Sequence, residues 1–188
     1  MTNQRHRMTR GLALALALTL AACATAPKLP PPLPADSVDL ERFSGKWYVI
    51  ANIPASGERE RVGAYVDYTL GADGSIVETY YAFGKDFAHP RGSTQSTAVV
   101  TDAATHAQWH FEGSHWADRV IVYVDRDYQD ALIADASRDR VWILARQRYL
   151  GDEVYSAMLA RLEQIGYDSR RVLKVPQRPE FIGAPGFQ

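Results

Sequence analysis

The sequence predicts an all-β fold, namely an eight-stranded antiparallel up-and-down barrel with one C-terminal α-helix packed on its outside. Three observations carry this prediction. Short segments of alternating apolar and polar residues follow one another with turn residues between them, as in antiparallel strands. One late segment changes to a helical period. The N-terminal region has a basic start, a short apolar run and a proline-rich stretch, and it is expected to precede the domain.

Eight segments fit the strand pattern. The turn between the second and the third is Gly71-Ala72-Asp73-Gly74, whose glycines permit a positive φ. Closing eight such strands on one another removes every sheet edge and gives a barrel. The predicted strands are residues 46–53, 62–70, 75–83, 93–102, 106–112, 119–124, 131–135 and 141–146.

The helix is predicted over residues 152–165, followed by Gly166 as a C-terminal cap. A short extended run over residues 171–175 comes next. The helix has one apolar stripe, which indicates that it covers the barrel from outside. The stripe is predicted to consist of Val154, Ala157, Met158, Leu162 and Ile165.

The first 34 residues are expected to target and tether the protein rather than to fold with it. Residues 1–22 combine a basic start with a short apolar run, as in a secretory signal peptide. Leu20-Ala21-Ala22-Cys23 resembles the lipobox of bacterial lipoproteins, which implies that Cys23, the single cysteine, is lipidated. Residues 23–34 are a proline-rich tether, and residues 35–188 are the domain. The resemblance, with Ala24 after the cysteine, implies an outer-membrane anchor facing the periplasm.

Alternating strand directions bring the start of the first strand and the end of the eighth to one end of the barrel. Gly45 allows a tight turn there, Trp47 closes the barrel, and Arg146 is expected to stack on the indole. The pattern of the first strand predicts that Trp47, Val49 and Ala51 face the lumen. Tyr48 and Ile50 are expected to lie under the helix.

Three segments resemble the motifs of the lipocalins, and most closely those of their bacterial outer-membrane lipoprotein branch and of apolipoprotein D. They are Gly45-Lys46-Trp47-Tyr48, residues 125–133, and Trp142-Ile143-Leu144-Ala145-Arg146. The resemblance extends to about Val175 and implies binding of lipids or other small apolar ligands, such as fatty acids and lysophospholipids, in the lumen. Residues 108–116 depart from that branch, which leaves the size and polarity of the ligand open.

Strand alternation also supplies candidate ligand contacts. The small residues among them favour a hollow barrel over one filled with side chains, although a filled interior is the alternative. The predicted ligand-binding residues are Ala51, Ala64, Val66, Tyr68, Tyr80, Trp109, Phe111, Tyr123 and Trp142. Phe87 and Trp116 fall in loops at the opposite end from Trp47. They are candidates for an exposed rim that receives lipid, while Trp116 is equally expected to cap the barrel.

The remaining function classes find little support. A net charge of −1, mixed in sign along the chain, offers no basic surface for nucleic acid. No nucleophile elbow, phosphate loop or dinucleotide fingerprint is present, so no catalytic residue, cofactor or metal is predicted and the protein is not expected to be an enzyme. His106 and His110 share one face of a predicted strand and His115 lies in the next loop, with no nearby cysteine or clear acidic partner, so they are interpreted as polar strand and rim residues rather than as a metal site. The alternative to a lipid carrier is a structural or stress-related interaction lipoprotein of the envelope. The oligomeric state stays open.

Overall fold

The structure is a computed structural model that describes residues 34–114 and 116–188. A four-residue helix, α1 (Leu40–Phe43), precedes the barrel, and α2 (Asp152–Gln164) follows it. The strands are β1 (Gly45–Asn52), β2 (Val62–Leu70), β3 (Ile76–Phe83), β4 (Pro90–Val100), β5 (Gln108–Phe111), β6 (Asp118–Val124), β7 (Asp130–Ala134), β8 (Val141–Ala145) and β9 (Leu173–Lys174). Short 3₁₀ helices span Ser169–Arg171 and Pro179–Phe181.

The first eight strands close into an antiparallel barrel. Each strand from β2 to β7 pairs with the next one in sequence, β8 pairs with β1, and β1 pairs with β2. The closing ladder runs from Gly45 opposite Tyr68 to Tyr48 opposite Tyr65. The predicted fold class is therefore confirmed, with β9 as an additional short strand beside β1.

The chain after α2 fills the gap where β1 and β2 separate. β9 pairs with Ala51 and Asn52 of β1. The side-chain amide of Gln177 then donates hydrogen bonds of 2.9 Å to the carbonyl oxygens of Val49 on β1 and Ala64 on β2. A buried side chain thus joins two strands whose own ladder has ended, because their backbone groups need partners away from water.

Two apolar cores lie on the two sides of the barrel wall. The lumen core includes Trp47, Val66, Tyr68, Trp109 and Phe111. The outer core lies between α2 and the strands β1, β7 and β8, with Met158 and Leu162 buried from the helix. The predicted stripe of α2 is wrong at two positions, since Val154 and Ala157 are exposed and Tyr155 and Leu159 pack inward instead.

Two bulges change which side chains face the lumen. In the β1–β8 ladder Val49 lies opposite Leu144 but Ala51 lies opposite Ile143, so Ile50 is an extra residue. Because one extra residue reverses the alternation, Ala51 turns into the outer core. The prediction that Ala51 lines the lumen is wrong for this reason.

The second bulge lies in β6. Ile121 lies opposite Ile133 and Tyr123 lies opposite Leu132, which leaves Val122 unpaired. Tyr123 therefore points outward, where the guanidinium of Arg161 on α2 lies 4.5 Å from its ring centroid. The prediction that Tyr123 lines the lumen is also wrong.

Candidate functional site

One end of the barrel is closed by the stack of Arg146 on Trp47. The guanidinium carbon lies 3.8 Å from the indole centroid, so the predicted contact is present. The guanidinium also donates to the carbonyl oxygens of Lys46 at 2.8 Å and Ser44 at 2.9 Å. Gly45 has a φ of +89°, which an L side chain rarely adopts, and a Cβ there would lie 3.5 Å from Arg146 Nη1. We call this end the closed end.

The short helix α1 completes the closed end and was not predicted. Asp39 caps it, because its side chain accepts from the backbone N–H groups of Glu41 and Arg42. The helix directs Phe43 beneath the lumen, where its ring lies 4.9 Å from Trp47 between centroids. Trp47 Nε1 donates to the Phe43 carbonyl at 2.7 Å. The sequence signal for this helix is a capping residue, Asp39, followed by four residues that end in the aromatic Phe43.

Much of the lumen next to the closed end is filled. Tyr68 packs on Trp109 at 5.2 Å and on Phe43 at 5.6 Å between ring centroids. All three side chains are buried, as are Val66 and Phe111. We call these residues the packed lumen. The filled interior that the sequence left as an alternative is therefore correct for this part of the barrel.

The opposite end, which we call the mouth, contains a cavity of about 590 Å³. We call it the upper cavity. The loops after β1, β5 and β7 surround it, and exposed residues such as Thr94 and Glu112 on its wall leave it open to solvent. Of the predicted ligand contacts, Tyr80 and Trp142 line the upper cavity. Ala64, Val66, Tyr68, Trp109 and Phe111 are buried in the lumen core and do not line it.

The wall of the upper cavity mixes aromatic and polar side chains. Its aromatic members are Tyr80, Trp116 and Trp142, and its charged members are Glu58, Arg61, Glu78, Glu112, Arg119 and Arg140. Ser56, Thr94, Gln95, Ser96 and Ser114 add hydroxyl and amide groups. This composition suits an amphipathic ligand, because an entirely apolar one would leave these polar groups without partners.

The inner part of the upper cavity holds an ion pair between Glu78 and Arg119. Nη1 of Arg119 donates to Oε2 of Glu78, and the side chains of Glu78 and Arg119 are only 4% and 5% exposed, respectively. Nε of Arg119 donates to the Trp116 carbonyl at 3.3 Å. Charges this far from water persist only when they are paired and hydrogen-bonded. The two residues therefore depend on each other to stay charged inside the lumen.

Aromatic rings hold the guanidinium of Arg119 in place. Its carbon lies 3.9 Å from the centroid of Phe111, 4.5 Å from that of Trp116 and 5.2 Å from that of Trp142. Trp142 in turn stacks on Tyr80 at 5.7 Å and meets Trp116 edge-on at 4.9 Å. The arginine and the aromatic wall consequently form one unit.

The sequence contains a signal for this pair in the alternation of two strands. Glu78 occupies the inward phase of β3, between Ile76 and Tyr80, where an apolar residue is expected. Arg119 has the same phase in β6 as the inward Ile121. A glutamate and an arginine, each at an inward position of a different strand, indicate a buried pair.

Tyr68 lies next to the ion pair without bonding to it. Its hydroxyl is buried and has no hydrogen-bond partner among the described residues. Burial, with a further contribution from the charge of Glu78, raises the pKa of Tyr68 well above its ordinary value. The phenol therefore stays protonated and offers one donor at the boundary of the packed lumen.

The predicted rim of exposed aromatics is wrong for Trp116. Trp116 is only 6% exposed and caps the cavity from inside, as the alternative interpretation expected. Phe87 packs on Phe83, with 5.6 Å between ring centroids. Trp116 therefore presents no exposed aromatic surface at the mouth, whereas Phe87 is partly exposed.

The histidines make local contacts. His110 pairs with Asp118 at 2.7 Å, and His89 pairs with Asp86 at 2.6 Å on the surface. Among residues 34–114 and 116–188, no group of three histidine, cysteine, aspartate or glutamate side chains could hold a metal ion. His115 lies outside the described residues, as do Cys23, the signal peptide and nearly all of the tether. In the described part of the chain, no helix is long and apolar enough to span a membrane.

A closed eight-stranded barrel with a cavity at one end and a helix on its wall defines a class of β-barrel binding proteins. Comparison with known families agrees, because the model of the lipocalin-like domain matches residues 38–177. The chain belongs to the lipocalin family, whose members are generally binding proteins for small hydrophobic molecules rather than enzymes.

Individual relatives support a branch within the family. The chain is 31% identical over 147 residues to the outer membrane lipoprotein Blc of Escherichia coli K12, covering 76% of this chain and 81% of that protein. It is 30% identical over 168 residues to temperature-induced lipocalin-1 of Arabidopsis thaliana, covering 79% of this chain and 86% of that protein. The predicted resemblance to the bacterial lipoprotein branch is thus confirmed.

Solved structures show the same fold. The cockroach allergen Per a 4 superimposes with a TM-score of 0.57 at 22% identity, covering 77% of this chain and 97% of the allergen. Lobster apocrustacyanin A1 superimposes with a TM-score of 0.54 at 16% identity, covering 82% of this chain and 94% of apocrustacyanin A1. At these identities the likeness concerns the fold alone.

Proposed function

We propose that this protein binds and carries small amphipathic lipids in the bacterial cell envelope, where lipidated Cys23 anchors it to the outer membrane facing the periplasm. The observation that carries the binding proposal is the upper cavity of about 590 Å³, open to solvent and walled by Tyr80, Trp116 and Trp142. An acyl chain gains free energy by leaving water for such a wall, at about 0.8 kcal/mol per methylene group buried.

The location rests on a different kind of support. The relatives named outer membrane lipoprotein in Escherichia coli and Citrobacter freundii are 31% and 28% identical to this chain. The lipobox-like Leu20-Ala21-Ala22-Cys23 supplies the attachment point. A single acyl chain binds membranes only marginally, so stable anchoring requires more than one lipid chain at this cysteine.

The binding proposal is tested on the chain without residues 1–22, because the described fold lies wholly within residues 34–188. The purified protein is extracted with organic solvent, the extract is identified by mass spectrometry, and tryptophan fluorescence is titrated with lysophospholipids and fatty acids. We expect an extracted lipid and saturable quenching. The absence of both would contradict the proposal and favour an interaction module.

A matched pair of substitutions tests whether binding occurs in the upper cavity. Thr94 lines this cavity and lies opposite Tyr80, whereas Thr97 on the same strand is exposed and lies opposite Val77. Thr94→Trp should fill the cavity and abolish lipid binding measured by radiolabelled ligand, while Thr97→Trp should bind as the native chain does. Equal binding by both variants would contradict a site in the upper cavity.

The anchor is tested in the full-length chain. Cells producing the native protein or Cys23→Ala are labelled with tritiated palmitate and fractionated. We expect label and outer-membrane association in the native protein and neither in the variant. An unlabelled native protein would contradict lipidation without affecting the binding proposal.

A further inference from the structure

The upper cavity contains several hydrogen-bond donors that have no acceptor among the described residues. Arg119 uses Nη1 for Glu78 and Nε for Trp116, and its Nη2 donates to no described residue. Nε of Arg61 and Nε1 of Trp116 are buried without a partner among the described residues. All three side chains line the same cavity. Native proteins rarely leave buried donors such as those of Arg61 and Trp116 unsatisfied, so their acceptors are expected from outside the protein. Nη2 of Arg119 is available to the same bound molecule.

The carboxylates that line the cavity are already in use or lie in water. Glu78 accepts from Arg119 and, at 3.5 Å, from the Ser96 hydroxyl. Glu58 accepts from the Ala55 N–H at 2.8 Å and pairs with Arg61 at 3.5 Å. Glu112 is exposed to solvent. Among the charged groups of the described cavity wall, the unmet hydrogen-bonding capacity is therefore on the donor side.

Two further arginines on the cavity wall also have donor groups without acceptors among the described residues. The guanidinium of Arg140 lines the cavity and forms no ion pair or side-chain hydrogen bond with the described residues. Arg61 leans over Tyr80, with 5.4 Å between guanidinium carbon and ring centroid, and its ion pair with Glu58 leaves Nε free. Guanidinium groups match the geometry of carboxylate and phosphate oxygens.

We propose that the upper cavity binds its ligand through an anionic group, a carboxylate or a phosphate, which accepts hydrogen bonds from Nη2 of Arg119 and from Arg61. The apolar part of the ligand then lies against Tyr80, Trp116 and Trp142, on the way to the mouth. This assignment rests on the proposed function and names the chemical group that the cavity selects.

The fixed position of Arg119 makes it suited to selection. Its guanidinium lies between Phe111, Trp116 and Trp142 and is tied to Glu78, so little side-chain freedom is lost when a ligand binds. The surrounding rings cover most of this side chain, which is only 5% exposed, and a charge-assisted hydrogen bond is stronger where less water competes for it. A neutral ligand of equal length offers Nη2 only an uncharged oxygen, whose hydrogen bond to the guanidinium is weaker than that of a carboxylate or phosphate.

The test compares four twelve-carbon probes on the native chain without residues 1–22: dodecanoate, dodecyl phosphate, dodecanol and methyl dodecanoate. Calorimetric titration at neutral pH and below the micelle concentrations should show one or both anions binding roughly 10- to 100-fold tighter than the alcohol and the ester. The tighter anion identifies the carboxylate or the phosphate as the preferred group. Equal affinities for all four probes would overturn the inference and leave the proposed function standing.

Two variants assign the preference to Arg119. Glu78→Gln removes the competing carboxylate and should tighten the anions while leaving dodecanol unchanged. Arg119→Gln combined with Glu78→Gln retains a neutral hydrogen-bonding pair and should abolish the preference for anions. Arg148→Gln is the matched control, because Arg148 stacks on Tyr48 outside the barrel at 5.1 Å and should bind all probes as the native chain does.

Each result separates the two proposals. A preference for anions that survives in the double glutamine variant would overturn the role of Arg119. If that variant fails to fold by circular dichroism, the native comparison and Glu78→Gln decide the question, since Glu78→Gln without tighter anion binding contradicts the inference. Failure of every probe to bind, with no lipid in the solvent extract, contradicts the proposed function itself.

Discussion

The two ends of this barrel each place an arginine against tryptophan, yet they satisfy the guanidinium differently. At the closed end Arg146 stacks on Trp47 and donates to backbone carbonyl oxygens, including those of Lys46 and Tyr128. In the upper cavity Arg119 pairs with a carboxylate and leaves Nη2 without an acceptor among the described residues. The hydrogen bonds of Arg146 to backbone carbonyl oxygens stabilise the fold. The unused Nη2 of Arg119 lies beside a cavity and is available to a ligand. The difference indicates which arginine has a structural role and which is suited to recognition.

The largest loss of stability is expected when Arg119 alone is replaced. Arg119→Leu leaves Glu78 charged and buried, and we expect the free energy of unfolding to fall by about 3–5 kcal/mol. Urea denaturation followed by circular dichroism measures it. The double variant Arg119→Leu with Glu78→Leu should recover most of the loss. A double variant as unstable as the single one would show that the loss comes from packing on Phe111 rather than from an unpaired charge.

Removing Arg146 should cost less, because the carbonyl oxygens it leaves lie partly in reach of water. Arg146→Ala is expected to lower the free energy of unfolding by about 2–3 kcal/mol, through lost charge-assisted hydrogen bonds and the lost stack on Trp47. Urea denaturation checks the stability, and titration with dodecanoate and dodecanol checks the selectivity. A changed selectivity with unaltered stability would contradict a structural role for Arg146.

Gly45 permits a sharper comparison at the closed end. Its φ is +89°, and Gly45→Ala should cost about 1–2 kcal/mol because an L side chain is strained there. Gly57, in a mouth loop, has a φ of +80°, and a Cβ added there would meet no atom within 4 Å, so Gly57→Ala isolates the backbone strain. Thermal denaturation compares the two variants. A larger loss at Gly45 would show that the added methyl group also displaces Arg146.

The smallest effect concerns Asp130, at the start of β7 near the closed end. Burial, followed by the charge of Asp125, raises the pKa of Asp130 above its ordinary value. Because the folded state binds this proton more tightly, the contribution of Asp130 to stability is greatest at acid pH and declines as pH rises through the raised pKa. Asp130→Asn should therefore raise the thermal midpoint slightly at pH 7 but not at pH 3. A midpoint lowered at pH 7 would contradict this sign.

The closed end was more predictable from the sequence than the cavity, because its residues are positioned by local turns. Gly45, Trp47 and Arg146 stand at strand ends, where a turn or a hairpin fixes their position whatever the register of the interior. The ligand contacts depended instead on strict alternation along whole strands. That assumption is correct for Tyr80 and Trp142, which line the cavity, and fails for Ala51 and Tyr123, which follow bulges.

The sequence by itself determined the barrel, its strand order, the external helix and the pairing of Arg146 with Trp47, because hydrophobic period and turn residues are local properties of the chain. Only the tertiary structure decided how the lumen is divided. Phe43 arrives from α1, Tyr68 and Trp109 fill the space above it, and Arg119 meets Glu78 across 41 residues of sequence. Which inward side chains fill space and which enclose a cavity depends on distances between strands that are far apart in sequence.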